Sequence, residues 1–466
     1  LWLRSQIAAI AAGGFFGYSV VVGFWTWNHI NLAAGALFLP LTLEAAVRMR
    51  RRPGPTQAVI LGVVLGAAVL VDQDSALEAA MVALVAVLPW LFGRPRPADP
   101  ADTSLAARVL AAPRAIRLAP VLLAGLVTAA VASPQLLAIA NEVSVGGPPL
   151  HPAAVSYTAG VHLPNIVEFT PRVATFGLHP PHPYDYRVYG VVLSALAIAG
   201  LVLAWRRRTA WALAGGWVGA TVLAMGSTVH IGRSEYVPVA QNWRGAQLSL
   251  IMPYTWLVHA PGLESFRVPG RIAALGLLPA ALLAGFAVNW LRDHAKPVMI
   301  AVLTVAFLEA GTAKPASIGT MPTALPALDR PIAADHSASI VVDVPFGLRG
   351  GVGLRGLPFA PESQVLATAD GHPIAVANLS RIPPNTDRGM HDQPFFNDLM
   401  TVQNGHYYFK QESLRAAAMN ARAVNVGWIL LWTHNPHIEH YLRTVGFRFA
   451  YRANGVSVYR PTWASR

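Results

Sequence analysis

The 466-residue chain is 54% hydrophobic and only 12% charged, roughly half the charged fraction of a soluble protein of this size. Too little polar surface remains for a water-soluble particle, and lipid is the alternative solvent. The net charge of +12 sits mainly in short arginine clusters beside apolar runs, where it orients a membrane protein and argues against nucleic acid as a partner, while the lack of cysteine excludes a disulfide framework, Cys-ligated zinc and thiol catalysis.

The chain opens Leu1-Trp2-Leu3-Arg4, without Met and without a signal-peptide pattern, and leads at once into an apolar segment; a further N-terminal piece is expected ahead of it. Apolar stretches suited to spanning follow at 6–26, 31–47, 57–71, 75–92, 118–139, 188–204, 209–226, 271–290 and 297–312. The expectation is an α-helical polytopic membrane bundle of about nine spans over residues 1–312.

The connections alternate in chemistry. One set carries Arg4, then Arg48 and Arg50 to Arg52, then Arg94, Arg96, Arg108, Arg114 and Arg117, then Arg206 to Arg208, and last Arg292 and Lys296. These are every second connection, so the positive-inside rule puts them in the cytoplasm and the C-terminus outside. The other set holds Asn28-His29-Ile30-Asn31, Asp72-Gln73-Asp74-Ser75 and two long stretches, 140–187 and 227–270, rich in Pro, His, Tyr and Trp. Loops of that length are functional or disordered, and their aromatic content argues against disorder.

Prolines 315, 322, 326 and 331 mark a linker over 313–335. Beyond it, 336–466 reads as a small α/β domain on the extracytoplasmic side, large enough for its own core. Strands are expected at 339–344 and 427–432, helices at 410–422 and 436–445, and a closing hairpin about Asn454-Gly455. Gly350-Gly351-Val352-Gly353 lacks the setting of a phosphate loop and reads as a turn.

Asp72, Asp74 and Glu78 interrupt an apolar stretch. Carboxylates at such a place are costly, and the Asp-x-Asp spacing suits either a shared divalent cation, magnesium or manganese, or a sugar hydroxyl. The alternative is a solvated turn. Arg267 and Arg271 flank Val268-Pro269-Gly270 at a helix start and are able to hold a phosphate; the alternative is a cap in which Arg267 pairs with Glu264. Asn28, His29 and Asn31 line a cavity or form a short turn. Glu142, Glu168 and Asp185 are candidate acids or bases of the first long stretch. His151, His162, His179 and His182 lack the spacing of a zinc helix.

The ordered set His29-Ile30-Asn31, Asp72-Gln73-Asp74-Ser75, Asn165 to Pro171 with Glu168, Leu263 to Arg271, and Val341 to Pro345 resembles bacterial multi-span membrane proteins of the GT-C glycosyltransferase type. That resemblance covers nearly the whole chain through loose motifs. It implies transfer of a sugar from a polyprenyl-phosphate donor to a cell-envelope glycan or protein acceptor, outside a bacterial inner membrane. Asp72, Asp74 and Glu78 would then be catalytic, with Asn28, His29, Glu168, Arg267 and Arg271 holding substrate. A carboxylate of the first outer loop usually serves as base in such enzymes, and a preceding N-terminal piece would hold it. A non-catalytic binder of lipid-linked glycans is the second reading. A secondary transporter is the third, and the lack of a clear internal repeat weighs against it.

Overall fold

The computed structural model describes residues 3, 5–19, 22, 30–92, 114–146, 189–226, 253–258, 269–311, 327–350, 353–357, 363–364, 367, 370–379 and 384–463. It divides into two units, one formed by Leu1–Ala138 with Ala153–Ile318 and one by Ile139–Pro152 with Gly319–Arg466.

The N-terminal unit is helical. In chain order come α1 (Gln6–Gly17), α2 (Ile30–Ala36), α3 (Phe38–Arg51), α4 (Pro55–Val71), α5 (Gln73–Phe92), α6 (Arg114–Gly146, shared with the second unit), α7 (Val191–Leu203), α8 (Arg208–Ala224) and the short α9 (Pro253–Val258). A 3-10 turn, Pro269–Ile272, leads into α10 (Ala273–His294), and α11 (Lys296–Gly311) follows. Each expected apolar segment thus contains a helix among the described residues, but the expectation of about nine spans is not supported. Among the described residues four helices are long and apolar enough to cross a membrane: Asn31–Arg51, Gln73–Phe92, Leu118–Asn141 and Gly270–His294. The physical reason is length. α4 has 17 residues, or roughly 25 Å at 1.5 Å per residue, against a hydrocarbon core of roughly 30 Å.

Glycines set how closely these helices approach. A Cβ on Gly62 would lie 2.6 Å from the Ala124 carbonyl oxygen of α6, and one on Gly66 2.6 Å from Val131 Cβ. Thr128 Oγ1 donates to the Gly62 carbonyl across the same contact, 3.2 Å. Small residues four apart with a bridging hydroxyl are how helices associate in lipid, where apolar burial supplies no drive. The tightest approach is that of α7 to α10, where a Cβ on Gly200 would fall 1.8 Å from the Leu283 carbonyl oxygen.

The C-terminal unit holds α12 (Arg330–Ala333), β1 (Ile340–Val344), β2 (Gly347–Gly350), β3 (Gly353–Gly356), β4 (Ala377–Leu379), α13 (Pro384–Asp392), α14 (Pro394–Gln403), α15 (Gln411–Ala423), β5 (Val426–Leu431), α16 (Pro436–Thr444), β6 (Phe447–Ala453) and β7 (Val456–Pro461). One sheet runs β1-β5-β7-β6 and a smaller one β3-β2-β4. β5 is parallel to β1 and antiparallel to β7. Every residue of β5 is buried, because Ile429 and Leu431 pack with Val342, Phe395 and Phe447 on one side, while Trp428 and Leu430 pack with Val341, Leu328 and Ile332 on the other. That two-sided burial is why the segment is apolar throughout rather than alternating. Leu328 and Ile332 come from the stretch read as a linker. Asn454 (φ 50°) and Gly455 (φ 81°) make the turn of the closing β6–β7 hairpin; positive φ at both positions matches the right-handed twist of its strands. Gly350 and Gly353 end β2 and begin β3, an antiparallel pair.

Candidate functional site

Four chain segments meet at one end of the N-terminal unit. Asp72 joins α4 to α5 in extended conformation. Its Oδ2 accepts the Ser75 N–H at 2.7 Å, the bond of a helix N-cap, and its Oδ1 accepts from Asn31 Nδ2 of α2 at 2.9 Å. α2 lies close enough that a Cβ on Gly35 would sit 2.3 Å from Ser75 Oγ. Asp74, in the first turn of α5, forms an ion pair with Arg271 of the 3-10 turn before α10. Both side chains remain about a quarter exposed. One turn further into the bundle, Glu78 is 1% exposed, and its Oε2 has no hydrogen-bond partner among the described residues. Tyr254 of α9 is wholly buried beside them. Burial pushes its phenol up; the Asp74 charge adds to that shift and Arg271 opposes it.

The same end extends to α7, α8, α10 and α11. Glu309, near the end of α11, accepts the N–H groups of Val191 (2.7 Å) and Val192 (3.1 Å) and so caps α7. Gly190 makes room for it at φ +75°, since a Cβ there would meet Glu309 Oε1 at 2.6 Å. Tyr189 Oη lies 3.0 Å from Thr221 Oγ1 and donates to the Ala273 carbonyl at 3.4 Å, tying the start of α7 to α8 and α10. A groove of about 150 Å³ opens here between α1, α7 and α11, bordered by Phe15, Tyr18, Leu193, Phe307 and Glu309. The opposite helix ends carry Arg48, Arg50 and Arg51 of α3, Arg206 to Arg208 between α7 and α8, and Arg292 with Lys296 between α10 and α11.

Of the residues singled out in the sequence, the structure therefore brings together Asn31, Asp72, Asp74, Glu78 and Arg271. Asn28, His29, Glu168 and Arg267 lie outside the described residues, as do the four loop histidines and Asp185. Asp72 and Asp74 are each engaged by protein groups. Asn31 and Ser75 occupy the first, Arg271 the second, and among the described residues no three His, Asp or Glu side chains are grouped as a metal requires. Glu309 and Tyr189 were missed. Glu309 was visible as the single acid of a long apolar segment, while Tyr189 carried no signal.

The C-terminal unit has charged interior groups of its own. Asp343 is buried, with Oδ1 accepting from Trp432 Nε1 at 2.6 Å; burial pushes it up to about 6 against that bond. Burial likewise pushes Asp329 up to about 6, with the charges of Asp370 and Asp343 adding. His372 is 5% exposed, and both ring nitrogens face backbone carbonyls: Nδ1 that of Ser339 at 2.9 Å, Nε2 those of Asp335 at 2.7 Å and Ile332 at 3.0 Å. A neutral imidazole has one N–H, so this setting favours the imidazolium. Burial opposes the charge, but the Ser339 and Asp335 carbonyls, the Asp370 carboxylate and the Ile332 carbonyl together raise the pKa.

No family model matches the chain, and neither the curated proteins nor the solved structures compared with it gave a match.

Proposed function

We propose that this chain is a membrane glycosyltransferase of the GT-C type, transferring a sugar from a polyprenyl-phosphate donor to an extracytoplasmic glycan or protein acceptor at a bacterial inner membrane. The observation that carries this reading is the meeting of Arg271 with Asp74, beside Asp72 and Glu78, at the helix ends opposite the arginine clusters. In this reading the short helices also cross the bilayer, tilted little or facing protein, and the arginine-bearing ends lie in the cytoplasm. The polar cluster then sits at the outer surface, where a lipid-borne donor arrives from the side.

The chemistry asks for two things. As the acceptor hydroxyl oxygen bonds to the anomeric carbon, the bond from that carbon to the donor phosphate breaks and its electron pair leaves with polyprenyl phosphate. Arg271 supplies positive charge to that departing anion, released from Asp74 as the phosphate takes its place. The hydroxyl proton passes to a carboxylate; Asp74, once freed, is the nearest candidate, with Glu78 one helical turn behind it. Asp72, holding the α5 N-terminus and Asn31, positions these groups.

The reading is tested with the full chain reconstituted in liposomes and given radiolabelled polyprenyl-phosphate mannose, glucose or arabinose with cell-envelope acceptors. Transfer that falls at least 100-fold in Asp74→Asn and in Arg271→Gln supports it. Transfer indifferent to both changes overturns it. A second reading, a non-catalytic binder of lipid-linked glycans, is favoured by the fact that Asp72 and Asp74 are both engaged by protein groups; donor binding without transfer would select it.

A further inference from the structure

The C-terminal unit carries a second polar cleft, of about 350 Å³, far in chemistry from the cluster just described. One stripe of α14 forms its wall: Asn397, Thr401 and Asn404 stand at i, i+4 and i+7, the spacing of a single helix face. His391, at the end of α13, and His406, just past α14, flank the stripe, and the buried Met400 supplies an apolar floor. The opposite face of α14, with Phe395, Phe396, Leu399 and Val402, is spent in the core.

Hydrogen-bonding capacity is left over along this wall. Thr401 Oγ1 donates back to the Asn397 carbonyl at 2.8 Å, leaving its lone pairs to accept. Asn404 Nδ2 donates to the Met400 carbonyl at 2.8 Å, leaving Oδ1. Asn397 Oδ1 stands at the outer limit of a bond to His391 Nδ1, 3.5 Å, leaving Nδ2. His406 is held by its backbone N–H on Thr401, which leaves the imidazole outward. Among the described residues the lining mixes donors and acceptors and holds no carboxylate, lysine or arginine. These residues offer no opposite charge to an anionic or cationic ligand. A neutral polyhydroxyl ring, which offers alternating donors and acceptors on its rim and an apolar face for Met400, matches the set. Immediately beyond His406, Tyr407 stacks on His437 at 3.8 Å and Tyr408 is fully exposed, so aromatic faces of the kind that meet a sugar's C–H face border the cleft in sequence.

We propose that the α14 cleft binds a neutral carbohydrate chain through Asn397, Thr401, Asn404 and His406. This inference stands independently of the transfer reaction, since it needs neither Asp74 nor Arg271. The test is saturation-transfer NMR on the full chain in lipid nanodiscs, free of sugar-headed detergent, with maltopentaose, mannopentaose, arabinopentaose and trigalacturonate as probes. The expected result is transfer to at least one neutral oligosaccharide, weakened tenfold or more by the double change Asn397→Leu with Asn404→Leu and by His406→Ala, and unchanged by Asp74→Asn. All three altered cleft residues are exposed, so the fold survives their replacement, and an unshifted Tm verifies this. No signal from any neutral probe, binding of trigalacturonate alone, or a signal equal in the double variant would each overturn the proposal.

Discussion

Arg271 and Asp74, 197 residues apart in the chain, form an ion pair that fastens the start of α10 to the start of α5. Each is about three-quarters shielded from solvent, so removing one member leaves a partly buried charge without its partner. Arg271→Gln and Asp74→Asn are each expected to destabilise the chain. The double variant should lose less than the sum, by a coupling of about 1–2 kcal/mol. Unfolding in mixed micelles across the four proteins of the cycle measures it; strict additivity would show that the pair contributes nothing.

The close helix contacts predict a contrast among glycines. Gly200→Val drives a side chain into the Leu283 carbonyl and is expected to prevent assembly of α7 on α10, whereas Gly125→Ala, with nothing within 4 Å of its added Cβ, is expected to leave Tm unchanged or slightly raised. Yield of monodisperse protein and Tm in detergent report both. Equal behaviour of the two variants would contradict the packing described.

His372 makes the C-terminal unit sensitive to pH. Its folded pKa is raised above the ordinary histidine value, so its stabilisation is fully present below about 6.5 and fades as pH rises through the folded value. Deprotonation leaves a ring nitrogen lone pair facing a carbonyl, and with it loosens the hold on the 332–339 segment. His372→Ala is expected to cost about 2 kcal/mol at pH 6 by stranding buried carbonyls and to cost less at pH 9. Hydrogen exchange at 332–339 against pH reads this out; a pH-independent cost would be the contrary result.

Asp343 and Asp329 act in the same direction. Both ionise in the folded unit near 6 rather than at the 3.8 of a free carboxyl, so they destabilise the fold progressively between those values and by a constant amount above. Asp343→Asn keeps an oxygen for Trp432 Nε1 and removes the penalty. It is expected to stabilise the unit at pH 8, by an amount on the order of 1–3 kcal/mol, and to do little at pH 4. Thermal unfolding at the two pH values decides it, and destabilisation at pH 8 would show that the ionised carboxylate is needed.

Where the physics is local, the chain could be read in advance. The apolar runs became helices because a helix satisfies its backbone groups within one segment, as an apolar environment demands, and Asn454-Gly455 became a turn because those residues tolerate positive φ. Asp72, Asp74 and Arg271 were legible as charges that interrupt apolar sequence at helix ends. The ends of α4 and α7 were legible too, since Val71 and Leu203 lie where the apolar runs give way to Asp72 and to Arg206–Arg208. Glu309 and Tyr189 find their partners across 118 and 84 residues, and His372 draws its charge from carbonyls of a distant turn. Such tertiary captures leave no periodic trace. The neutral stripe of α14 was hidden for a different reason: Asn, Thr and Asn on an exposed face look like any solvated surface until the flanking histidines fold against it.

The central claim, that Arg271 receives the phosphate of a lipid-borne donor, is tested most directly by native mass spectrometry of the full chain titrated with polyprenyl phosphate and, in parallel, with the uncharged polyprenol. The expected result is binding of the phosphate at least tenfold tighter than the alcohol, with that preference abolished in Arg271→Gln. Equal binding of the two lipids, or a phosphate preference that survives the loss of Arg271, would contradict it.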